Sequence, residues 1–263
     1  MLDRQAVIAI GGGSLDMADL ALIVGATIIG GFLRGFVGFG GALALVPALA
    51  LALGPRVAVA VASFVGLPAV VQLLPQAVRH ADRRRIGPVA VAILCGAPLG
   101  SLILTRVDPR LMTAAIGILV MLMALATWRA PSRRLAESAW LNIVAGGVSG
   151  MLQGAAGIGG PPSVAVRMAQ GGEPRQLRAD VLAVTAAIAL AGAASHWWFG
   201  LLTLEAGGIA LLLLPFFVGF TWVGSRFFHR GGDRHFRVAA LSVLLVIGLA
   251  AVAGSVKPLL LGR

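Results

Sequence analysis

A glycine-rich motif occurs twice in this chain and breaks two long apolar stretches in the same way. Residues 31–41 read G-F-L-R-G-F-V-G-F-G-G, and residues 150–160, which lie 119 positions later, read G-M-L-Q-G-A-A-G-I-G-G. In each copy the motif separates a long apolar segment from a short one. A duplicated glycine break inside membrane-length segments is typical of a transporter built from two repeats.

The apolar character of the whole chain indicates that it lies in a membrane. Charged residues make up 12% of the 263 residues and hydrophobic residues 59%, with a mean hydropathy of +0.95. A soluble domain of this length cannot keep so much apolar surface from water. The net charge of +11 would suggest nucleic acid in a soluble protein, but here it indicates basic loops facing the cytoplasm. We therefore expect the lipid bilayer, and no nucleic acid, as a partner.

Ten apolar segments follow one another, and both halves show the order long, short, long, long, long. They lie at residues 17–36, 41–53, 57–78, 86–105, 111–128, 138–156, 160–170, 177–199, 203–224 and 238–256. The second and seventh would extend only about 20 Å and about 16 Å as helices, against a hydrocarbon core of about 30 Å. The pattern predicts an all-α polytopic membrane protein with two repeats, each a broken helical hairpin plus three transmembrane helices.

The arginine-rich loops predict how the repeats are oriented. Arginines are concentrated at residues 79–85, 129–137 and 225–237, and we place these loops in the cytoplasm. Because each repeat has an odd number of segments, the second repeat must be inverted in the membrane relative to the first. We predict an N-terminal repeat at residues 1–128, a cytoplasmic linker at 129–137 and a C-terminal inverted repeat at 138–263.

The glycine turns predict an anion site. A helix that begins at Gly41 or Gly160 presents unpaired backbone N–H groups and the positive end of its dipole. Glycine also permits left-handed turns and lets a ligand approach the backbone. No Asp or Glu lies centrally in an apolar segment, which argues against a cation carrier or a proton relay. We expect the turns to face one another and to bind a small anion through Gly38, Phe39, Gly40, Gly41, Gly157, Ile158, Gly159 and Gly160.

Polar side chains in the apolar segments extend this predicted site. Arg34 is the only basic residue of the first broken segment, and its counterpart in the second repeat is the neutral Gln153. The guanidinium of Arg34 could bind an oxyanion through its fork of donors, or it could reach the cytoplasmic interface. Ser63 and Gln72 could line the cavity, or they could be packed polar groups.

Other ionisable residues indicate structural roles. We expect Arg167 to interact with carbonyls at the end of the seventh segment, and His196, beside Trp197 and Trp198, to anchor the chain at the membrane interface. The single cysteine, Cys95, excludes an intrachain disulfide and a thiolate metal cluster. The four histidines do not form a nucleophile-and-base pattern, so we expect no enzyme, no catalytic residue, no metal and no cofactor.

The doubled motif resembles the sulfite exporter (TauE/SafE) family, also called the toluenesulfonate uptake permeases. The resemblance rests on G-x-x-x-G-x-x-G-[FI]-G-G, followed each time by a short apolar segment and Pro-Arg, and it extends over residues 17–256. It implies a multi-pass carrier in the bacterial inner (cytoplasmic) membrane for sulfite, sulfoacetate or other organosulfonates. Gln153 and the pair Pro161-Pro162 depart from the first copy, which argues against a symmetric site with two arginines.

We therefore expect a secondary transporter that works by alternating access on a small anionic substrate. An anion channel and a non-transporting membrane scaffold are the alternatives, although a scaffold gives no reason for two glycine breaks. The sequence leaves open which sulfur anion is carried, the direction of transport, the coupling ion and whether the protein forms a homo-oligomer.

Overall fold

The fold is known from a computed structural model that describes residues 8–10, 13–37, 40–128, 135–228 and 249. A short antiparallel hairpin of β1 (Ile8–Ile10) and β2 (Gly13–Leu15) precedes the helices. The helices are α1 (Met17–Val37), α2 (Gly41–Leu53), α3 (Pro55–His80), α4 (Arg83–Arg106), α5 (Pro109–Trp128), α6 (Ala139–Ala156), α7 (Gly160–Gln170), α8 (Pro174–Trp198) and α9 (Leu204–Phe228). The predicted all-α membrane fold is confirmed, while the tenth segment lies outside the described residues except for position 249.

Glycines and a capping side chain set several helix ends. α2 lies between Gly40 and Gly54, whose φ angles of 96° and 84° lie in the left-handed region that favours glycine. α7 ends before Gly171, which has a φ of 69°. α4 begins after Asp82, whose carboxylate accepts a hydrogen bond from the backbone N–H of Arg84 at 3.0 Å. These local signals explain why the two short predicted segments match α2 and α7 at both ends.

The two helices that the sequence predicts to be short, α2 and α7, are the short ones in the fold. Within the described part of the chain, four helical stretches are long and apolar enough to cross a membrane, namely Met17–Gly35, Arg83–Arg106, Ala179–Trp198 and Leu204–Arg226. α2 and α7 have only 13 and 11 residues, and helices of that length cover about 20 Å and about 16 Å. We therefore expect both to begin inside the membrane, at a depth where non-helical backbone is tolerated only if protein or a cavity surrounds it.

The helix pairings are alike in the two halves of the chain. α1 packs on α9, α4 packs on α6, and α3 packs on α8. Exchanging α1–α4 with α6–α9 leaves this pattern of pairs unchanged, as expected for two related repeats. The repeat boundaries and the inversion stay predictions.

The first two glycines of each motif allow close helix packing. A Cβ atom added at Gly31 would meet the backbone of Phe217 in α9, and one added at Gly150 would meet the backbone of Ile93 in α4. Gly35 and Gly154, one turn further on, are just as close to the same two helices. Small residues at such crossings let helix backbones approach within a membrane. These glycines therefore hold the helices α1 and α6 against their partners.

Candidate functional site

The broken ends of the two hairpins meet at one cavity of about 90 Å³. This space is large enough for several waters or for one small anion. The wall combines both glycine turns with residues of α1, α3, α6 and α8. The lining residues are Arg34, Gly40, Gly41, Ala42, Leu43, Ala62, Ser63, Gly66, Gln153, Gly157, Ile158, Gly159, Gly160, Pro161, Thr185, Ile188 and Ala189.

The first turn leaves two backbone donors unpaired at this cavity. Gly40 has a φ of 96° and a ψ of −1°, and this left-handed conformation turns the chain into α2. The N–H of Leu43 donates to the carbonyl of Gly40 at 3.0 Å. The N–H groups of Gly41 and Ala42 have no acceptor among the described residues, as is usual in the first turn of a helix. Both residues line the cavity.

The second turn is closed by Gln153. Gly157 has a φ of 66°, and its N–H donates to the backbone carbonyl of Gln153 at 2.9 Å. The N–H of Gly159 donates to the side-chain oxygen of the same glutamine at 3.0 Å. Gly159 itself has a φ of −81°, so the left-handed geometry expected for the turn occurs at Gly157. An amide donor that could have faced a ligand is thus already paired.

The start of α7 has few donors left. Pro161 and Pro162 have no backbone N–H. The N–H of Ser163 donates to the hydroxyl oxygen of the buried Ser149 at 3.0 Å, and the hydroxyl of Ser163 donates to the same oxygen at 2.8 Å. In the described part of this helix start, only the N–H of Gly160 lacks an acceptor. The two hairpins therefore differ in the donors that they offer.

Arg34 supplies the only charged side chain among the described residues of the cavity wall. It is half-buried, and none of the described carboxylates forms an ion pair with it. A guanidinium is permanently charged and presents several N–H donors in one plane. Arg34 is therefore available for an oxyanion in the cavity.

Most of the predicted site residues come together at this wall. They are Arg34, Gly40, Gly41, Ser63, Gln153, Gly157, Ile158, Gly159 and Gly160. Gly38, Phe39 and the side chain of Gln72 lie outside the described part of the chain. That these residues bind the substrate stays a prediction.

The prediction that His196 anchors the chain at the membrane interface is wrong. His196 is fully buried, whereas Trp197 and Trp198 are 71% and 80% exposed. Its Nε2 atom lies 3.0 Å from the carbonyl oxygen of Gly154, and its Nδ1 atom lies 2.8 Å from the hydroxyl oxygen of Ser63. Successive residues of a helix point in different directions, so the tryptophans face outward while His196 packs on α3 and α6. Through Ser63, His196 reaches the cavity wall.

Arg167 is paired within the protein and is not among the lining residues. Its Nε and Nη2 atoms lie 3.0 Å and 2.9 Å from Oδ2 of Asp180, and both residues are buried. Its Nη1 atom donates to the carbonyl of Gly171 at 2.9 Å, which is the expected helix-end interaction. Arg85 lies 3.6 Å from the same carboxylate. The charge of Arg167 is thus balanced by Asp180, a pairing that the sequence did not reveal.

Sequence reasoning missed the contribution of α8 to the cavity wall. Thr185, Ile188 and Ala189 line the cavity, and the hydroxyl of Thr185 donates to the carbonyl of Val181 at 2.8 Å. A usable signal was present, because Thr185 lies 119 positions after Gly66, which also lines the cavity. The offset of 119 residues between the repeats relates α3 to α8 as it relates the two glycine motifs. It therefore indicates that this part of α8 lies at the cavity.

The wall has the chemistry of a site for a small anion. Arg34 brings a positive charge, and the N-terminus of α2 adds free N–H groups and the positive end of a helix dipole. None of the described lining residues is an Asp or Glu. These donors can replace part of the hydration shell of an oxyanion.

Comparison with protein families agrees with this chemistry. The family model named sulfite exporter TauE/SafE matches residues 22–251. Comparisons with curated proteins and with solved structures gave no match. The matched range contains both glycine motifs and every residue of the cavity wall. The chain therefore belongs to the sulfite exporter TauE/SafE family of membrane transporters.

Proposed function

We propose that this protein carries a sulfur-containing anion, such as sulfite, sulfoacetate or another organosulfonate, across the bacterial inner membrane. The observation that carries the proposal is that both broken hairpins and Arg34 border one small cavity. Membership of the family supports the class of activity, and the size and polar wall of the cavity support a binding site there.

In this proposal the first hairpin makes the stronger contacts to the anion. Arg34 binds two oxygens through its guanidinium fork, and the N–H groups of Gly41 and Ala42 bind the same anion from the end of α2. The second hairpin adds the N–H of Gly160 and the side-chain NH₂ group of Gln153, whose oxygen is already paired with Gly159. Each of these donors replaces a water of the hydrated anion.

Alternating access would follow from the position of the cavity between the two halves. Helices of both halves form the wall, and α3 packs directly on α8. Rocking one half against the other would open the cavity to each side in turn, as in other carriers with broken helices.

A binding screen with a transport assay tests this function. Sulfite, sulfate, thiosulfate, taurine and sulfoacetate are added to the purified protein, with chloride as the control anion. A ligand at 100 times its Kd should stabilise the fold by about 2.7 kcal/mol. In proteoliposomes, unlabelled anion on the far side should accelerate uptake of the labelled anion by a carrier but not by a channel. The proposal fails if none of the five anions stabilises the protein or crosses the membrane.

We further propose that the N-terminal repeat (1–128) and the C-terminal repeat (138–263) are inverted, with both termini outside and the linker at 129–137 inside. In a Cys95→Ser background, Glu205→Cys should react with a membrane-impermeant thiol reagent added to intact cells, and Ala81→Cys should not. Glu205 is suitable because it is exposed, while Gly200 has a φ of 67° that disfavours cysteine. The reverse labelling pattern would contradict this orientation.

A further inference from the structure

We propose that His196 binds one proton with each anion, so that the carrier moves the two together. The inference rests on the proposed function and adds the coupling ion to it. His196 does not line the cavity itself, but it is hydrogen-bonded to Ser63, which does. A proton relay in a membrane usually uses a carboxylate. Here a buried imidazole would take that role.

The tautomer of His196 follows from its two neighbours. Nε2 lies 3.0 Å from the carbonyl oxygen of Gly154, which can only accept, so this nitrogen must carry a hydrogen. In neutral His196 the other nitrogen, Nδ1, is then an acceptor. The hydroxyl of Ser63, at 2.8 Å, must therefore donate its proton to Nδ1.

Protonation of His196 reverses this hydrogen bond. When Nδ1 takes a proton from water, it becomes a donor to the oxygen of Ser63. The hydroxyl proton of Ser63 is then released for another acceptor. In the empty protein that acceptor is the carbonyl of Val59, which lies 2.9 Å from the Ser63 oxygen. With an anion in the cavity, the same hydroxyl can donate to the anion. One hydroxyl proton thus has alternative acceptors, and the protonation state of His196 selects between them.

Charge favours the same coupling. Arg34 and Ser63 line the same cavity. When the cavity holds no anion, an imidazolium at His196 would therefore add a second positive charge that repels Arg34. An anion between these charges removes the repulsion and favours the proton on Nδ1. When the anion leaves, the imidazole loses that proton to water. An inward proton gradient would therefore drive accumulation of the anion inside the cell.

Among the side chains that the structure describes, no other ionisable group is hydrogen-bonded to His196 or to Ser63. α8 packs on α3, α4, α6 and α7, and α6 has no charged residue. The ionisable residues on the other three helices and on α8 itself are Arg56, Arg79, His80, Arg83, Arg84, Arg85, Cys95, Arg106, Arg167, Arg175, Arg178 and Asp180, with the exposed Glu205 at the start of α9. Arg56 donates to the carbonyl of Thr105, and Arg167 is paired with Asp180. In the described structure the His196 ring is hydrogen-bonded to Ser63 and to Gly154.

The test measures how anion binding depends on pH. The probe is sulfoacetate, because its sulfonate and carboxylate stay ionised between about pH 5.5 and about pH 8, where histidine titrates. The full-length protein in detergent should bind sulfoacetate about tenfold more weakly for each pH unit above the titration of His196. In weakly buffered solution, binding should take up about one proton per protein.

Variants separate the proton site from the anion site. His196→Gln keeps a donor for Gly154, and it should bind sulfoacetate with no pH dependence and no proton uptake. His80→Gln, the same substitution at the end of α3, should behave like the wild type. Ser63→Ala should lose most of the pH dependence. Ser195→Ala should keep it, because the buried Ser195 hydroxyl donates to Ser101 and not to the cavity wall.

The outcomes distinguish this inference from the proposed function. If the wild type binds sulfoacetate with no proton uptake, or if folded His196→Gln keeps the full pH dependence, the coupling is wrong while the transport function stands. If His196→Gln does not fold, proton uptake is compared between the wild type and Ser63→Ala. Uptake by the wild type that Ser63→Ala largely loses supports the coupling, and equal uptake by both proteins contradicts it. If neither sulfoacetate nor sulfite binds at any pH, the proposed function fails and the coupling fails with it.

Discussion

The two glycine turns border the same cavity, yet they differ in how many of their polar groups already have partners. At the first turn, the N–H of Gly41 has no described acceptor and Arg34 has no described carboxylate beside it. At the second turn, Gln153 accepts the N–H of Gly159, and two prolines remove donors from α7. The two copies of the motif therefore differ: the first turn has donors without a described acceptor, and in the second turn the N–H of Gly159 is already hydrogen-bonded within the protein.

This difference indicates a division of roles. An unpaired donor away from bulk water is unfavourable until a ligand accepts its hydrogen bond, so a ligand gains most where donors are free. We therefore expect the first hairpin to provide most of the affinity and the second to hold the shape of the cavity.

The largest effect is expected at Arg167, the arginine of the second hairpin. Arg167→Gln leaves the carboxylate of the buried Asp180 without its main partner, since Arg85 lies further away at 3.6 Å. Breaking a buried ion pair in this way should lower stability by about 3 to 5 kcal/mol. Thermal unfolding of the purified protein measures the loss, and the fraction that folds should bind sulfite as the wild type does.

The double variant Arg167→Gln, Asp180→Asn is the matched control. It removes both charges together and should recover part of the lost stability. A stable Arg167→Gln protein that no longer binds any anion would show that the second hairpin carries the binding charge.

The arginine of the first hairpin should behave in the opposite way. Arg34→Gln removes the charge from the cavity wall, and loss of a charge-assisted partner from a site shielded from water weakens binding by about 2 to 5 kcal/mol. The Kd for sulfite should rise at least about tenfold with the melting temperature nearly unchanged. Arg56→Gln is the control, because Arg56 is exposed and bonded to the carbonyl of Thr105. Unchanged binding by Arg34→Gln would end the proposed division of roles.

Local signals made much of the fold predictable. The predicted bounds 41–53 and 160–170 coincide with α2 and α7, because glycines flank both helices. The meeting of the two turns was expected from the repeat, since both short helices begin at a copy of the same glycine motif. Both inferences depend on residues that are close in sequence or related by a fixed offset.

Contacts between distant segments were not predictable in the same way. In a membrane, lipid and protein interior are equally apolar, so the hydrophobic pattern does not show which face of a helix is buried. The outward-facing tryptophans therefore concealed the inward-facing His196, whose partner Ser63 is 133 residues away. The small residues before it, at positions 191–195, were the available sign of a packed face. The pairing of Arg167 with Asp180 had no comparable signal.

Alanine at Gly40 or at Gly159 should have an intermediate effect. The two substitutions distinguish backbone strain, expected at Gly40, from steric overlap, expected at Gly159. At Gly40 an added Cβ meets, among the described residues, only Leu43 at 3.5 Å, but the φ of 96° strains an alanine by about 1 to 3 kcal/mol. At Gly159 the Cβ would overlap the backbone carbonyl oxygen of Ser149 and would lie 2.6 Å from Cβ of Gln153 and 2.7 Å from Ile188, which is overpacking of about 1 to 3 kcal/mol. Both variants should melt at lower temperature, and Gly40→Ala should also lose more sulfite affinity.

Gly208→Ala is the control for these variants. Gly208 lies in α9 with open space around an added Cβ, so its melting temperature should not fall. The comparison would be reversed if Gly159→Ala lost more affinity than Gly40→Ala at equal stability.

The smallest effect is expected at Gln153, the counterpart of Arg34. Gln153→Met removes the acceptor for the N–H of Gly159, and water in the cavity can replace it, so stability should fall by about 1 kcal/mol. The matched control is Gln170→Met, because no partner is found for that buried side-chain amide in the described structure. Removing an unpaired amide should leave the melting temperature unchanged or raise it.

The affinity of Gln153→Met decides whether the two turns are equivalent. The variant loses the NH₂ donor of Gln153, but it frees the N–H of Gly159, so one donor replaces another and the Kd for sulfite should change by less than about threefold. If Gln153 instead binds the anion as Arg34 does, no freed amide can compensate and the Kd should rise at least about tenfold. The Kd values of Gln153→Met and Arg34→Gln are obtained from the rise in melting temperature with increasing sulfite concentration. A tenfold loss with the fold intact would mean that both hairpins bind the anion and that the pairing of Gly159 gives way when substrate enters.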